Sequence, residues 1–384
     1  MAGKARFLAP YDGHFFLFGP RGTGKSTWLE RYRDGALHID LLQPEQLRQY
    51  AGRPERLRAL LEAQPDKAVV VIDEVQKVPA LLDVVHGLIE AGAPQRFVLT
   101  GSSARKLKAS GVNLLAGRAA LRALHPYMAA EMGADFDLGR ALRQGMLPLV
   151  VEAKAPEEVL RAYGGLYLKE EVQQEGIVRN LGDFARFVEA ASFSHGALWN
   201  ATTVARSCQV SRRTVDGYAQ VLEDLLLSFH LTAFRRRAQR ALVAHHKFYY
   251  FDCGIYRSLR PTGPLDLPEE TAGTALEGLV AQHLRAWCDY RLEARHSLHF
   301  WRTQSGTEVD FVVYGPDSFC AIEVKHARQV QRKDLRDLKA FGADYPEANL
   351  RLLYGGSERL MLEGVLCLPV EAYLRAVHPA EALP

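Results

Sequence analysis

Residues 14–30 read HFFLFGPRGTGKSTWLE, an apolar run followed by Gly19-x-x-x-x-Gly24-Lys25-Ser26 and a helical start. In such a loop, spelled here by Gly19, Pro20, Arg21, Gly22, Thr23, Gly24, Lys25, Ser26 and Thr27, the glycines let backbone N–H groups turn inward around phosphate oxygens. Lys25 reaches the outer phosphates and the Ser26 hydroxyl is a ligand for Mg2+. The helix that follows adds its positive N-terminal end. The strand before and the helix after set this apart from a chance glycine-rich turn, and phosphate binding is expected.

Further along, AVVVIDEVQ (68–76) is an apolar strand that ends in two adjacent acids. Beside a P-loop, Asp73 is placed to hold Mg2+ through water and Glu74 to polarise the attacking water, so hydrolysis is expected in addition to binding. The next run, RFVLTGSS, brings Thr100, Ser102 and Ser103 to the same carboxyl edge, where open α/β sheets bind ligands. One of these hydroxyls is a candidate sensor of the γ-phosphate. Arg118, in LLAGRAAL, is a candidate arginine finger presented to a neighbouring subunit, with Arg105 and Lys106 as rivals and a solvated arginine as the plain alternative.

A second constellation lies in FWRTQSGTEVDFVVYGPDSFCAIEVK (300–325), two strands flanking a Gly-Pro-Asp-Ser turn. Residues two apart on a strand face the same side, so Glu323 and Lys325 point together, and pairing about the turn brings Asp310 beside Glu323. That is a hard-cation site with a lysine placed to orient water. Glu277, in TALEGLVAQHL, is a further candidate ligand, and Gln304 a weaker supporting group. A hairpin with ordinary alternating charge is the bland alternative, against which stands the burial of an acid and a lysine in the apolar run AIEVK.

Between the two, LWNATTVARSCQVSRRTVDGYAQVLEDLL (198–226) carries two helical patterns joined by a short turn. Ala205, Val210 and Val215 fall where a helix-turn-helix needs a small contact, a buried turn residue and a buried second-helix residue, and Ser211 is a good cap for the second helix. Arg212, Arg213 and Thr214 then lie on its exposed face and are of the types that contact phosphates and base edges. Gln209 stands where the turn often has glycine. The alternative is a protein–protein module. The densest positive stretch is Arg235, Arg236, Arg237, Arg240, His245, His246 and Lys247. It either tracks a phosphate backbone or protects a strand edge from pairing.

The elements that must hold these residues follow from periodicity. Short apolar runs at 14–18, 36–40, 69–72 and 97–100 alternate with helical stretches and predict a mostly parallel sheet covered by helices. From about Pro126 to Arg240 the pattern is helical, and aromatic strand-like runs return at 248–251, 298–301, 308–314 and 320–325. The expected division is a P-loop core over 1–130, a helical lid over 131–180, a winged helix over 181–243 and a second α/β domain over 244–384. A chain of 384 residues, 48% hydrophobic and 24% charged, excludes a disordered scaffold. No run approaches the roughly 20 apolar residues of a membrane span, and MAGKARFLAP has no signal-peptide core. Cys208, Cys253, Cys288, Cys320 and Cys367 are scattered, which argues against disulfides or zinc and for a cytoplasmic location. A net charge of +3 does not itself point to nucleic acid.

Taken in order, GPRGTGKST, VVVIDEVQ, LTGSSARKL, LAGRA with HPYMAAE, FDCGIYRSL, ALEGLV, GTEVDFVV and AIEVK resemble the prokaryotic AAA-type ATPases that carry a C-terminal domain of unknown function, over nearly the whole length. The last three are similar to the restriction-endonuclease-like PD-(D/E)xK pattern. The resemblance implies a winged helix between the ATPase and the nuclease-like part, ATP on Gly19 to Thr27, Mg2+ and water on Asp73 and Glu74, and nuclease-like acids at Glu277, Asp310 and Glu323 with Lys325. LYLKEEV (166–172) departs from it, where such proteins carry an Arg-Asp pair. The expected function is a DNA-acting ATPase, a homo-oligomer with a hexameric ring in view, that moves on or remodels duplex or branched DNA and grips or cuts it with the nuclease-like domain. A nucleotide-dependent signalling switch of the STAND type, or an adaptor with a vestigial nuclease fold, is the alternative.

Overall fold

The computed structural model describes residues 4–101, 115–174, 180–236, 240–264, 266–291 and 295–384. The chain divides into two compact units, residues 1–125 with 222–227, and residues 126–221 with 228–384.

In the first unit, β1 (Phe15–Phe18), β2 (Ala36–Asp40), β3 (Val69–Asp73), β4 (Arg96–Gly101) and β5 (Ala120–Ala123) form one sheet in the order β2-β3-β4-β1-β5, every neighbouring pair parallel. Strands covered on both faces read as continuous apolar runs, and β1 and β3 are such runs, FFLF and VVVID. The helices Pro44–Gly52, Arg56–Ala63 and Ala80–Glu90 supply the covering; the last buries Leu81, Leu82, Val84 and Val85, the spacing of one helical face. Their side chains meet Phe16, Val70, Ile72, Phe97 and Leu99 in one core. The four expected strands are present. β5 was not expected: ALRA is short and only half-buried, so it carries no strand signal of its own.

The second unit begins with helices, among them Ala129–Met132, Leu138–Gln144, Pro156–Ala162 and Leu181–Ser192. LYLKEEV falls in a wide helical turn, Tyr163–Tyr167, and the helix Leu168–Gln174. Next come the paired helices Ala201–Cys208 and Arg212–Asp224, and a three-stranded antiparallel sheet of β6 (Ala197–Leu198), β7 (Ser228–Leu231) and β8 (Lys247–Tyr250) in the order β6-β8-β7. A mixed six-stranded sheet closes the chain. Its strands β9 (Ser297–Arg302), β10 (Glu308–Gly315), β11 (Ser318–Lys325), β12 (Asn349–Tyr354), β13 (Leu360–Leu362) and β14 (Val365–Pro369) run in the order β13-β14-β12-β11-β10-β9. β9, β10 and β11 are antiparallel neighbours, while β11, β12 and β14 run parallel. The long helix Pro268–Tyr290 buries Leu276, Leu279, Val280, Leu284 and Trp287. Among the described residues no helix is long and apolar enough to cross a membrane.

Candidate nucleotide site and a lysine-centred acidic cluster

The P-loop joins β1 to the helix Lys25–Leu29. Gly22 and Gly24 have φ of 82° and 87°, a left-handed backbone that a side chain would strain, and a Cβ on Gly19 would sit 2.6 Å from the Leu124 carbonyl oxygen. Thr23 is buried and its hydroxyl donates to the Pro20 carbonyl at 2.8 Å, closing the turn. Arg6 braces the loop by donating to the Thr23 carbonyl at 2.8 Å and to the His125 carbonyl. Lys25, 7% exposed, lays its ammonium against the Gly19 carbonyl at 2.7 Å and the Pro20 carbonyl at 3.3 Å. Arg21, Ser26 and Thr27 are exposed.

Because β4 lies between β1 and β3 and all three run parallel, the P-loop, Thr100 and the Asp73-Glu74 pair share one carboxyl edge. The Ser26 hydroxyl donates to Asp73 Oδ2 at 3.3 Å. Thr100 donates to Asp73 Oδ1 while its hydroxyl oxygen accepts the Glu74 backbone N–H at 3.1 Å. Glu74 takes φ of 59° and its carboxylate accepts from the Gln76 amide. Hydroxyl and carboxylate oxygens are the donors Mg2+ prefers, and Ser26 with Asp73 fits such an ion. Glu74 stands next to them, half-buried, with a different partner. Thr100 is one of the three hydroxyls offered as a sensor; in the structure it donates to the Asp73 carboxylate and accepts the Glu74 backbone N–H. Gln76 was quoted in the motif without a role, and Arg6 was missed because its partners, the Thr23 and His125 carbonyls, are set by tertiary approach. Ser102, Ser103, Arg105 and Lys106 lie outside the described residues. Arg118 is partly exposed and ion-paired with Glu90 of the helix Ala80–Glu90.

In the second unit, Asp310 on β10 and Glu323 on β11 meet as expected. The Asp310 backbone N–H donates to Glu323 Oε2 at 3.3 Å and the Val324 N–H donates to Asp310 Oδ2 at 3.0 Å. Lys325 donates to Glu323 Oε1 at 2.6 Å, and Glu277 reaches the same place from the long helix. At the centre is a residue not expected there. Lys247, on β8 and 2% exposed, lies 3.0 Å from Glu277 Oε1, 2.5 Å from Glu308 Oε1 and 3.3 Å from Asp310 Oδ1. Tyr249, two residues on and so on the same strand face, donates to Glu277 Oε1 at 2.6 Å, and Arg302 pairs with Glu308 at 2.6 Å.

Burial, and then the charge of Asp310, raise the Glu323 carboxyl to about 8. Burial likewise raises Glu277 to about 7 against the opposing pull of Lys247. Burial opposes the charge on Lys247, but Glu277, Tyr249, Asp310 and Glu308 outweigh it and hold the amine well above its usual value. Two of the three expected ligands, Glu277 and Asp310, thus meet the Lys247 ammonium, while Glu323 is held by Lys325 and the Asp310 N–H. Among the described residues no group of three or more His, Cys, Asp or Glu is arranged to hold a metal ion. Lys247 escaped sequence reasoning because it reads as the tail of the basic stretch, and Glu308 because only its neighbour Asp310 matched the motif.

The helix pair is where expected. Ala205 and Val215 are buried, Gln209 takes φ of 56° without needing glycine, and the Ser211 hydroxyl accepts the Thr214 N–H at 3.1 Å. Arg212 and Arg213 are exposed, and Arg212 makes a loose pair with Asp216 at 3.8 Å. In the β7–β8 connection, Arg235 donates to the Val243 carbonyl at 2.8 Å, Arg236 stacks 4.6 Å over Tyr314 and Arg240 pairs with Asp344 at 2.9 Å. Arg237 lies outside the described residues.

Residues 12–133 match the family model of an AAA domain. Residues 135–266 and 272–373 match two models described as domains of unknown function, DUF8612 and DUF4143. Uncharacterized proteins of Mycobacterium tuberculosis and Mycobacterium bovis are each 26% identical over 367 residues, covering 93% of this chain and 80% of the relative. Among solved structures, the replication initiator DnaA bound to AMPPCP and single-stranded DNA aligns with a TM-score of 0.28 and 14% identity over 55% of this chain and 82% of that one. AMPPCP-bound DnaA from Aquifex aeolicus gives 0.27 and 13% over 55% and 81%. The P-loop, Thr100 and the Asp73-Glu74 pair all fall within the matched AAA stretch, and the N-terminal part of the chain is a AAA-type ATPase domain.

Proposed function

We propose that this chain is an ATP-hydrolysing, DNA-binding motor or remodeller that works as a homo-oligomer on duplex or branched DNA and uses its C-terminal domain as a grip. The observation that carries the ATPase half is the hydrogen-bonded edge running from Ser26 through Asp73 and Thr100 to Glu74. In this reading Ser26 and Asp73 would hold Mg2+, which when bound would neutralise charge on the phosphates. Lys25 turns from its own loop carbonyls to the outer phosphates. Glu74 accepts a proton from the attacking water, and Gln76 fixes the carboxylate that does so. Arg118 acts on the phosphates of a neighbouring copy, after leaving Glu90.

The DNA half rests on the helix pair read as the helix-turn-helix of a winged helix. Arg212 and Arg213 are exposed on its second helix and Arg235 and Arg236 on the connection between β7 and β8. Arg237 extends that stretch in sequence. Asp310, Glu323 and Lys325 belong to a nuclease-like centre in which Lys325, 38% exposed at its side chain, is the group nearest solvent.

The test is fluorescence anisotropy with duplex, single-stranded and four-way-junction DNA across a salt series. Binding is expected to weaken linearly in log–log form with salt, and a double Arg212→Ala, Arg213→Ala variant to lower the slope by about two phosphate contacts. No binding to any of the three at low salt would overturn the DNA reading and favour a nucleotide-dependent switch or adaptor.

A further inference from the structure

The nuclease-like resemblance implies a divalent cation among Glu277, Asp310 and Glu323, and the residues present do not fit one. The position between Glu277 and Asp310 is filled from within the chain, and Glu323 is paired elsewhere. An ammonium has three N–H donors. Lys247 has three carboxylate partners for them, Glu277 at 3.0 Å, Glu308 at 2.5 Å and Asp310 at 3.3 Å. Those are ammonium-to-oxygen distances. A divalent ion at the same point requires oxygens at about 2.0–2.6 Å and a larger set of them.

The rest of the cluster is arranged around the lysine too. Tyr249 spends its hydroxyl on the Glu277 oxygen that Lys247 also touches, and Arg302 takes the second oxygen of Glu308. Asp310 Oδ2 is committed to the Val324 N–H. Glu323 is held by Lys325 on one oxygen and the Asp310 N–H on the other. Lys247 is carried by β8, between β6 and β7, so strand pairing on both sides fixes its backbone. A buried ammonium with all its donors taken does not leave cheaply, because the acids it neutralises would then face one another unpaired.

We propose that Lys247 is a built-in replacement for the divalent cation of this nuclease-like centre, so that the domain presents Lys325 to a polyanion without binding a metal there and without cutting. The statement about the cation stands on the geometry alone; only the nature of the polyanion rests on the DNA reading above.

Mn2+ titration of the full chain, read by the electron paramagnetic resonance of the free ion, tests it directly. Wild type and Asp310→Asn are expected to take up the same amount of Mn2+, and wild type to leave supercoiled plasmid intact in Mn2+ or Mg2+. In Lys247→Ala the acids are released, and Mn2+ is expected to bind about tenfold or more tightly than to wild type. It should also raise a melting temperature that the substitution has lowered. Uptake by wild type that is lost in Asp310→Asn, or metal-dependent cleavage lost in that variant, would overturn the proposal, and neither readout needs the lysine variant to fold. DNA binding is measured separately in EDTA: its failure there would remove the DNA reading, while the Mn2+ comparison decides the lysine assignment by itself.

Discussion

Asp73 and Glu74 are adjacent in sequence yet have different partners. Asp73 is held by two hydroxyls, Ser26 and Thr100, and Glu74 by the Gln76 amide. Lys25→Ala is therefore expected to abolish productive ATP binding. Glu74→Gln should keep binding and lower hydrolysis by about 10²–10⁴-fold, the range for loss of a general base; near-normal turnover measured for Glu74→Gln would remove that residue from the mechanism. Thr100→Val retains the shape of the side chain but removes one of the two hydroxyls on Asp73 and the acceptor of the Glu74 backbone N–H, and is expected to slow hydrolysis about 10–100-fold with little change in nucleotide affinity, as for loss of a group that orients a metal ligand. Unchanged turnover would make Thr100 packing alone. At this scale the P-loop and the DE pair were legible because each is contiguous and its chemistry depends on neighbours in the chain. Gln76 was quoted in the motif without a role. Arg6 and Lys247 were not legible, since Arg6 finds its carbonyls at Thr23 and His125 and Lys247 finds its acids at 277, 308 and 310.

Two histidines tie elements of the second unit together only when neutral. His283, on the long helix, accepts the Ala129 N–H at 2.8 Å through Nε2, and its Nδ1 lies 2.7 Å from the Leu279 carbonyl. His195 accepts the Tyr250 N–H at 3.0 Å and stacks on Tyr256 with ring centroids 4.0 Å apart. Burial lowers His283 from 6.5 to about 4 and His195 from 6.5 to about 3. Because both folded values are depressed, the unfolded chain binds protons first on acidification. Their contribution is present in full above pH 6.5 and is lost below it, by about 1.4 kcal/mol per pH unit for each ring until its folded value is reached. Melting temperature should fall between pH 7 and 5, and His283→Gln should flatten that fall; an unchanged slope in His283→Gln would contradict the assignment. A Cβ at Gly278 would lie 2.3 Å from His195 Nε2, so Gly278→Ala is expected to destabilise by about 1–3 kcal/mol, as overpacking does, in denaturant titration. Of the strands up to Lys325, β1–β4 and β8–β11 were legible from apolar runs, whereas β5 and the short β6 and β7, within a stretch read as helical, were not. β12 was not, because NLRLLY carries Arg351 mid-strand, where it contacts the Cys320 thiol and donates to the Leu383 carbonyl at 3.0 Å, and so reads as a solvated stretch.

For the whole molecule, the order of motifs was enough to place an ATPase domain first and a second α/β fold last. Which charges would be spent inside the chain was not legible, because a sequence does not distinguish an arginine that meets DNA from one that meets Asp344. Arg118 poses that question between copies. If it serves a neighbour, Arg118→Ala lowers turnover with little change in affinity, and mixing it with Lys25→Ala subunits restores some activity, since each supplies the half that the other lacks. No rescue in mixed assemblies would assign both residues to the same subunit's site. The claim that joins the parts is that DNA is what the ATPase responds to. Its most direct test is the steady-state ATP hydrolysis rate of the full chain, alone and with duplex, single-stranded and four-way-junction DNA at one low salt concentration. A higher rate with duplex or junction DNA, absent in Glu74→Gln, is the predicted result; a rate that none of the three DNAs changes would contradict it.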